Sequence, residues 1–302
     1  MPELPEVETV RDGLARHVLG KRISQVEVFR DYCVRRHEGG PQDFIDQLTG
    51  NTITYAARRG KFLWLGLEGL DEMLVAHLGM SGQLLVQDNF DAAPAKHLRV
   101  RMAFTDGTGL DFVDQRTFGY LAVSPAVPTP DGLPGGVGTD LARVPQILEH
   151  IGRDLLDPAV AAGTPGRKAL IAAFKAKNSG IKRSLLDQNM VSGVGNIYAD
   201  EALWLAKVHY ARPGAKLTLK SIAEVLDAAE AVMRQALSQG GTSFDALYVN
   251  VNGESGYFDR SLNAYGREDE PCKRCGTLVR RSEFMNRSSF WCPVCQTKPR
   301  SI

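Results

Sequence analysis

A proline directly behind the initiator methionine carries latent chemistry. In the opening Met1-Pro2-Glu3-Leu4-Pro5-Glu6, removal of Met1, which a small second residue permits, leaves Pro2 with a free secondary amine. An α-amino group titrates at roughly 7.7 to 8.0 against about 10.4 for lysine, so part of it is an unprotonated nucleophile at neutrality. Attack of that amine on a sugar C1′ gives a cationic iminium, an electron sink through which one residue can displace a base and then promote strand scission. Glu3 stands beside it, able to give or take a proton. The same residues also have a purely local reading, since proline suits a first helical turn and carboxylates complement the N-terminal dipole.

Other stretches carry complementary chemistry. Arg58-Arg59-Gly60-Lys61-Phe62 is a basic turn ahead of an apolar strand, suited to touching a phosphate and delivering an ammonium, or else a solvated basic hairpin. In His77-Leu78-Gly79-Met80-Ser81-Gly82 two glycines hold Met80 on a tight turn, where it could wedge into a base stack or simply fill core. Asp114-Gln115-Arg116-Thr117-Phe118-Gly119 offers a guanidinium and an aromatic two residues apart, a pair that could fill a vacated base position and read the partner base, or else a salt-bridged loop with a buried Phe. A basic cluster, Arg167, Lys168, Lys175, Lys177, Lys182 and Arg183, precedes two helices flanking a turn whose Gly193 and Gly195 would expose backbone N–H groups before Asn196, an anion site in outline or else a plain helix hairpin. Cys272, Cys275, Cys292 and Cys295 follow a C-x2-C-x16-C-x2-C spacing suited to one tetrahedral Zn²⁺ in a two-knuckle hairpin. Four thiolates close the coordination shell, so such a metal holds shape and does not activate water.

These residues need scaffolds. At 302 residues, with 43% hydrophobic and 24% charged, the chain is long enough for two domains and a small appendage. A formal charge of +1 does not by itself announce a nucleic-acid partner, because it averages over unlike faces. There is no apolar run of membrane-span length and no signal-peptide pattern, so a cytoplasmic protein without membrane contact is expected. Val7, Val10, Leu14 and Val18 recur at helical spacing and predict a helix from Pro5 to Leu19 that Gly20 stops. From Arg22 to Val123, short β-rich runs begin at Ile23, Thr52, Phe62, Met73, Gln83, Leu98 and Gly109 and predict a two-layer β domain, with Glu68 to Asp71 as a hairpin turn. The Pro- and Gly-rich stretch after Ser124 reads as a linker or surface insertion. The predicted class is therefore α+β: an N-terminal β-sandwich with its helix (residues 1–124), a linker (125–147), a helical DNA-binding part (148–266) and a zinc module (267–302).

Taken together, MPELPEVETV, HLGMSG, DQRTFG, LLDQNMVSGVGNIYADE and the cysteine hairpin resemble the bacterial formamidopyrimidine-DNA glycosylases, in the same order along nearly the whole chain. The resemblance implies a bifunctional glycosylase and lyase that removes oxidised purines, 8-oxoguanine and formamidopyrimidines, from double-stranded DNA, work that one copy of the chain can perform. It implies Pro2 as Schiff-base nucleophile, Glu3 as the acid that opens the deoxyribose and Glu6 as its support. Lys61 would donate a proton during β-elimination and Arg287 would assist δ-elimination. Met80, Arg116 and Phe118 would fill the hole left by the extruded base, with Arg116 facing the orphaned cytosine. His97, Lys177, Lys182 and Asn196 would bind phosphates, and the stretch holding Thr242, Tyr248 and Tyr257 would cover the base. Two other readings are an endonuclease VIII-type enzyme acting on oxidised pyrimidines and a zinc-bearing DNA binder without chemistry.

Overall fold

The computed structural model describes residues 2–69, 71–91, 93–240, 251 and 261–299. The chain divides into two compact units, Met1–His150 with Gln239–Tyr257, and Ile151–Ser238 with Phe258–Ile302.

The first unit opens with helix α1 (Leu4–His17). The predicted apolar stripe is its buried face, and Gly20 follows with φ +77°, the left-handed turn that only glycine adopts without strain. After β1 (Ile23–Val28) comes α2 (Gly40–Leu48), then β2 (Ile53–Arg59), β3 (Phe62–Leu67), β4 (Glu72–His77), β5 (Gly82–Gln87), β6 (Leu98–Phe104), β7 (Gly109–Asp114), β8 (Tyr120–Pro128) and β9 (Arg143–Pro145). They form two antiparallel sheets, ordered β1-β6-β7-β5 and β2-β3-β4-β8-β9. One core cluster draws on both: Val26, Val100 and Phe112 from the first, Leu63, Leu74 and Leu121 from the second, closed by Leu14 of α1 and Phe44 of α2. This is the sandwich the alternating runs predict.

The stretch after Ser124 differs from the expected linker. Pro125 pairs with Glu72 and Pro128 with Arg143, so the prolines sit within an ordered strand whose other neighbour is the short edge strand β9. Beyond it, Arg58 and Val137 exchange backbone hydrogen bonds of 2.9 Å. An added Cβ on Gly136 would lie 2.2 Å from the Arg58 carbonyl oxygen and 3.0 Å from the Trp64 ring. The glycines are there for close approach: they cover the outer face of β3, which is why that strand is buried on both sides.

The second unit holds α3 (Pro165–Lys175), α4 (Ile181–Leu185), α5 (Asn196–Leu205), α6 (Leu219–Ser238) and the hairpin β10 (Arg280–Phe284) and β11 (Arg287–Trp291). Helix α3 is capped by the Thr164 hydroxyl, which accepts from the Arg167 N–H at 3.1 Å. Among the described residues no helix is long and apolar enough to cross a membrane.

Candidate active site and nucleic-acid contacts

Pro2 is buried and lies immediately before α1, with Glu3 as that helix's N-cap. Glu6 accepts the Glu3 N–H at 2.8 Å, one half of a reciprocal capping box that fixes the backbone behind the proline. The local reading and the chemical one therefore coexist: the helix start is what orients the terminal residue. Glu8, one turn further on, receives Arg58 Nε at 2.7 Å, and Arg58 Nη1 donates to the Gly60 carbonyl at 2.9 Å. The helix behind Pro2 and the β2–β3 turn carrying Lys61 are thus joined by one largely buried ion pair.

That turn is not a solvated basic hairpin. Arg58 and Arg59 are buried, Arg59 donating to the Gly135 carbonyl at 2.7 Å, and Lys61 is only 9% exposed. Phe62 packs on His77 at 5.0 Å between ring centroids. Burial first, and then the nearby charge of Lys61, push the His77 imidazole down to about 4, so it is neutral at physiological pH.

Met80 is half-buried, whereas Arg116 is exposed and Phe118 is 57% exposed. Arg116 Nη1 lies 3.8 Å from Met80 Sδ, so the two turns singled out in the sequence meet. Buried groups to which the motifs themselves assign no role lace them together. The Asp114 carboxylate accepts the Ser81 hydroxyl at 2.6 Å and the Gly119 N–H at 2.8 Å. Arg35 escapes sequence reasoning altogether. It donates to the Gly119 and Phe118 carbonyls at 2.8 and 3.0 Å, from a polar stretch with no motif to mark it. His97 has φ +69°, and its carbonyl accepts the Asp114 N–H at 3.0 Å, which sets it at the foot of the same loop.

In the second unit Lys177 is exposed and lines, with Arg183, Ser184 and Met285, a groove of about 390 Å³. Lys182 is placed otherwise than the resemblance implies. It is 0% exposed, with Nζ 2.7 Å from Asp200 Oδ1 and 2.7 Å from Ser289 Oγ, and lies over the Phe284 ring. Helix α4 turns this residue inward with Ile181 and Leu185, so its ammonium ties the helix to the hairpin and is not presented to a phosphate. Burial pushes the Asp200 carboxyl up against the opposing pull of that ammonium.

The glycine turn also differs from expectation. Gly193 is buried and donates its N–H to Gln188 Oε1 at 2.9 Å, so it is not bare at the surface. Gly195 is the N-cap of α5, and Asn196, its first residue, donates to the Ser288 carbonyl at 3.0 Å, while its Oδ1 is buried without a partner among the described residues. Arg287 is exposed at the base of the hairpin turn, in which Met285 and Asn286 both have positive φ and Met285 is 56% exposed. Thr242, Tyr248 and Tyr257 lie outside the described residues.

The sulfur atoms of Cys272, Cys275, Cys292 and Cys295 all lie within 4.8 Å of one another. Zn–S bonds of about 2.3 Å place tetrahedral sulfurs roughly 3.8 Å apart, so the four thiols fit one zinc ion. Cys272 accepts the Trp204 indole N–H at 3.3 Å, and Trp204 with Val279 and Phe290 forms a small core around the site. That second layer locks the knuckles onto α5.

Comparison with known proteins accords with this construction. Residues 1–121 match the formamidopyrimidine-DNA glycosylase N-terminal domain, 149–246 the formamidopyrimidine-DNA glycosylase H2TH domain and 269–298 a zinc finger found in FPG and IleRS. The chain is 55% identical over 301 residues to a formamidopyrimidine-DNA glycosylase of Mycolicibacterium paratuberculosis, with 99% of this chain and 100% of that protein covered. Wild-type Lactococcus lactis Fpg in complex with N7-benzyl-Fapy-dG containing DNA aligns with a TM-score of 0.81 at 31% identity, over 98% of this chain and 100% of that one. Lactococcus lactis Fpg with abasic site containing DNA aligns at 0.80, with the same identity and coverage. Matched by all three models in sequence order and by a full-length relative, the chain belongs to the formamidopyrimidine-DNA glycosylase family.

Proposed function

We propose that this chain is a bifunctional DNA glycosylase and abasic-site lyase of base excision repair, acting on oxidised purines, 8-oxoguanine and formamidopyrimidines, in duplex DNA. The observation that carries the reading is the Glu8–Arg58 pair, 2.7 Å, which couples the helix behind Pro2 to the turn bearing Lys61. A nucleophile and a proton carrier from distant sequence positions need such a tie, because effective molarity depends on held geometry.

The Pro2 nitrogen attacks C1′, the glycosidic bond breaks, and the base leaves with a proton. Glu3 protonates the ring oxygen as the deoxyribose opens to the iminium, and Glu6 holds Glu3 in place. Loss of a C2′ proton then expels the 3′ phosphate, with Lys61 carrying a proton, and Arg287 assists the second elimination that expels the 5′ phosphate. Turning the damaged base out of the stack costs a few kcal/mol, which Met80, Arg116 and Phe118 offset by filling the gap. His97, Lys177 and Asn196 are assigned to phosphates, and Lys182 is withdrawn from that set. Thr242, Tyr248 and Tyr257 are assigned to covering the extruded base. Zinc supplies shape only, through Cys272, Cys275, Cys292 and Cys295. Residues 1–124 are assigned the nucleophile and the first elimination, 148–266 the grip on DNA, and 267–302 that grip together with Arg287, and the assigned setting is a bacterial cytoplasm in contact with its nucleoid.

The test is excision from duplexes carrying 8-oxoguanine opposite cytosine against duplexes carrying thymine glycol. Faster release of the purine is expected, and preference for the pyrimidine contradicts the assignment.

A further inference from the structure

We infer that Ser81 and Asp114 are positioning residues that make the Met80 turn and the Arg116–Phe118 loop a single wedge, and that discrimination of the base opposite the lesion runs through them. The inference rests on the roles proposed above for Met80, Arg116 and Phe118. Asp114 and Ser81 are both buried. A carboxylate only accepts, so the Ser81 hydroxyl must point its proton at Asp114 Oδ1, 2.6 Å away. Its lone pairs are then left to receive the Arg116 N–H at 3.0 Å. The other Asp114 oxygen takes the Gly119 N–H at 2.8 Å, closing the loop on itself. The relay therefore has one polarity, and it fixes the backbone on both sides of Arg116 and Phe118 while leaving their side chains exposed.

Two further features show how tightly the pieces are held. Thr117 inside the loop has φ +57°, a left-handed conformation that a β-branched residue keeps only where its surroundings over-determine it. A Cβ on Gly79 would lie 2.5 Å from the Gly119 nitrogen, so the two turns touch backbone to backbone and neither shifts alone. Cytosine presents two adjacent acceptors, N3 and O2, to a guanidinium fork, whereas adenine presents one acceptor beside a donor. Telling them apart requires the fork to be held in place, because a swivelling guanidinium pairs with either.

The experiment compares the parent with Ser81→Ala, Asp114→Asn and Arg116→Ala. Single-turnover excision is measured with 8-oxoguanine opposite cytosine and opposite adenine, and borohydride trapping is measured on a single-stranded abasic oligonucleotide, which has no opposite base. Ser81→Ala and Asp114→Asn are expected to shrink the cytosine preference about tenfold, the worth of one hydrogen bond, with trapping within about twofold of the parent. Preference retained in both variants, or trapping lost in proportion to excision, overturns the inference. Arg116→Ala separates the levels: unchanged preference there contradicts the reading of Arg116, whereas loss there with retention in the other two contradicts only the relay.

Discussion

Neutral histidines buried beside cations make the chain's stability pH-dependent. Burial, reinforced by Lys61 for His77 and by Lys298 and Arg212 for His209, pushes each imidazole down to about 4. The unfolded chain takes up those protons near pH ~6.5 and the folded chain does not, so each contribution is fully present above that pH and is lost as pH falls toward 4. Denaturant unfolding at pH 7 and 5 is expected to show a drop that shrinks by about 1–2 kcal/mol in a His77→Asn variant. An undiminished drop contradicts a neutral native His77. Lys182 marks what a sequence can and cannot tell at this scale. Six cations on and around α3 and α4 are readable as a basic region, but which of them turn inward depends on the helix faces: Arg167 of α3 is buried against Glu230, and on α4 Ile181 and Leu185 take Lys182 with them. Ser81, Asp114 and Arg35 were beyond reach for the opposite reason, since hydrogen-bonded positioning leaves no composition signal.

At the scale of elements, the strands with alternating or continuous apolar runs begin within one residue of the expected starts, and β1, β3, β6 and β7 at the expected residue. Strands β8 and β9 are not legible, because Pro125, Pro128 and the glycines from Gly132 to Gly138 carry every mark of a loop, and only pairing with β4 and packing on Trp64 reveal their place. Helix α2 is equally hidden, being short and framed by Gly39-Gly40-Pro41, although Phe44 and Leu48 mark its buried face. Gly136→Ala is expected to lower stability by about 1–3 kcal/mol through that backbone clash, read from the urea midpoint. An unchanged midpoint would return the stretch to the status of a loose insertion. The pair joining α4 to α5 makes a sharper case. Lys182→Met leaves a buried carboxylate without its cation and is expected to cost about 3–5 kcal/mol, most of it recovered when Asp200→Leu is added. If the single variant unfolds no more easily than the parent, the ammonium is not holding the hairpin.

For the molecule as a whole, a charge of +1 over 302 residues hides a partner that only local clusters betray. Affinity for DNA should fall steeply with salt, and Lys177→Ala should reduce the slope of log K against log salt by about 1, the signature of one lost phosphate contact. A slope left intact removes Lys177 from the interface. The central claim concerns one bond, that between the Pro2 nitrogen and C1′. Borohydride reduction of the zinc-loaded, Met1-processed protein on an abasic duplex, followed by peptide mass mapping, tests it most directly. The predicted result is a covalent adduct on the N-terminal peptide at Pro2, absent from a sample that retains Met1. An adduct on a lysine peptide, or equal trapping with Met1 still in place, contradicts it.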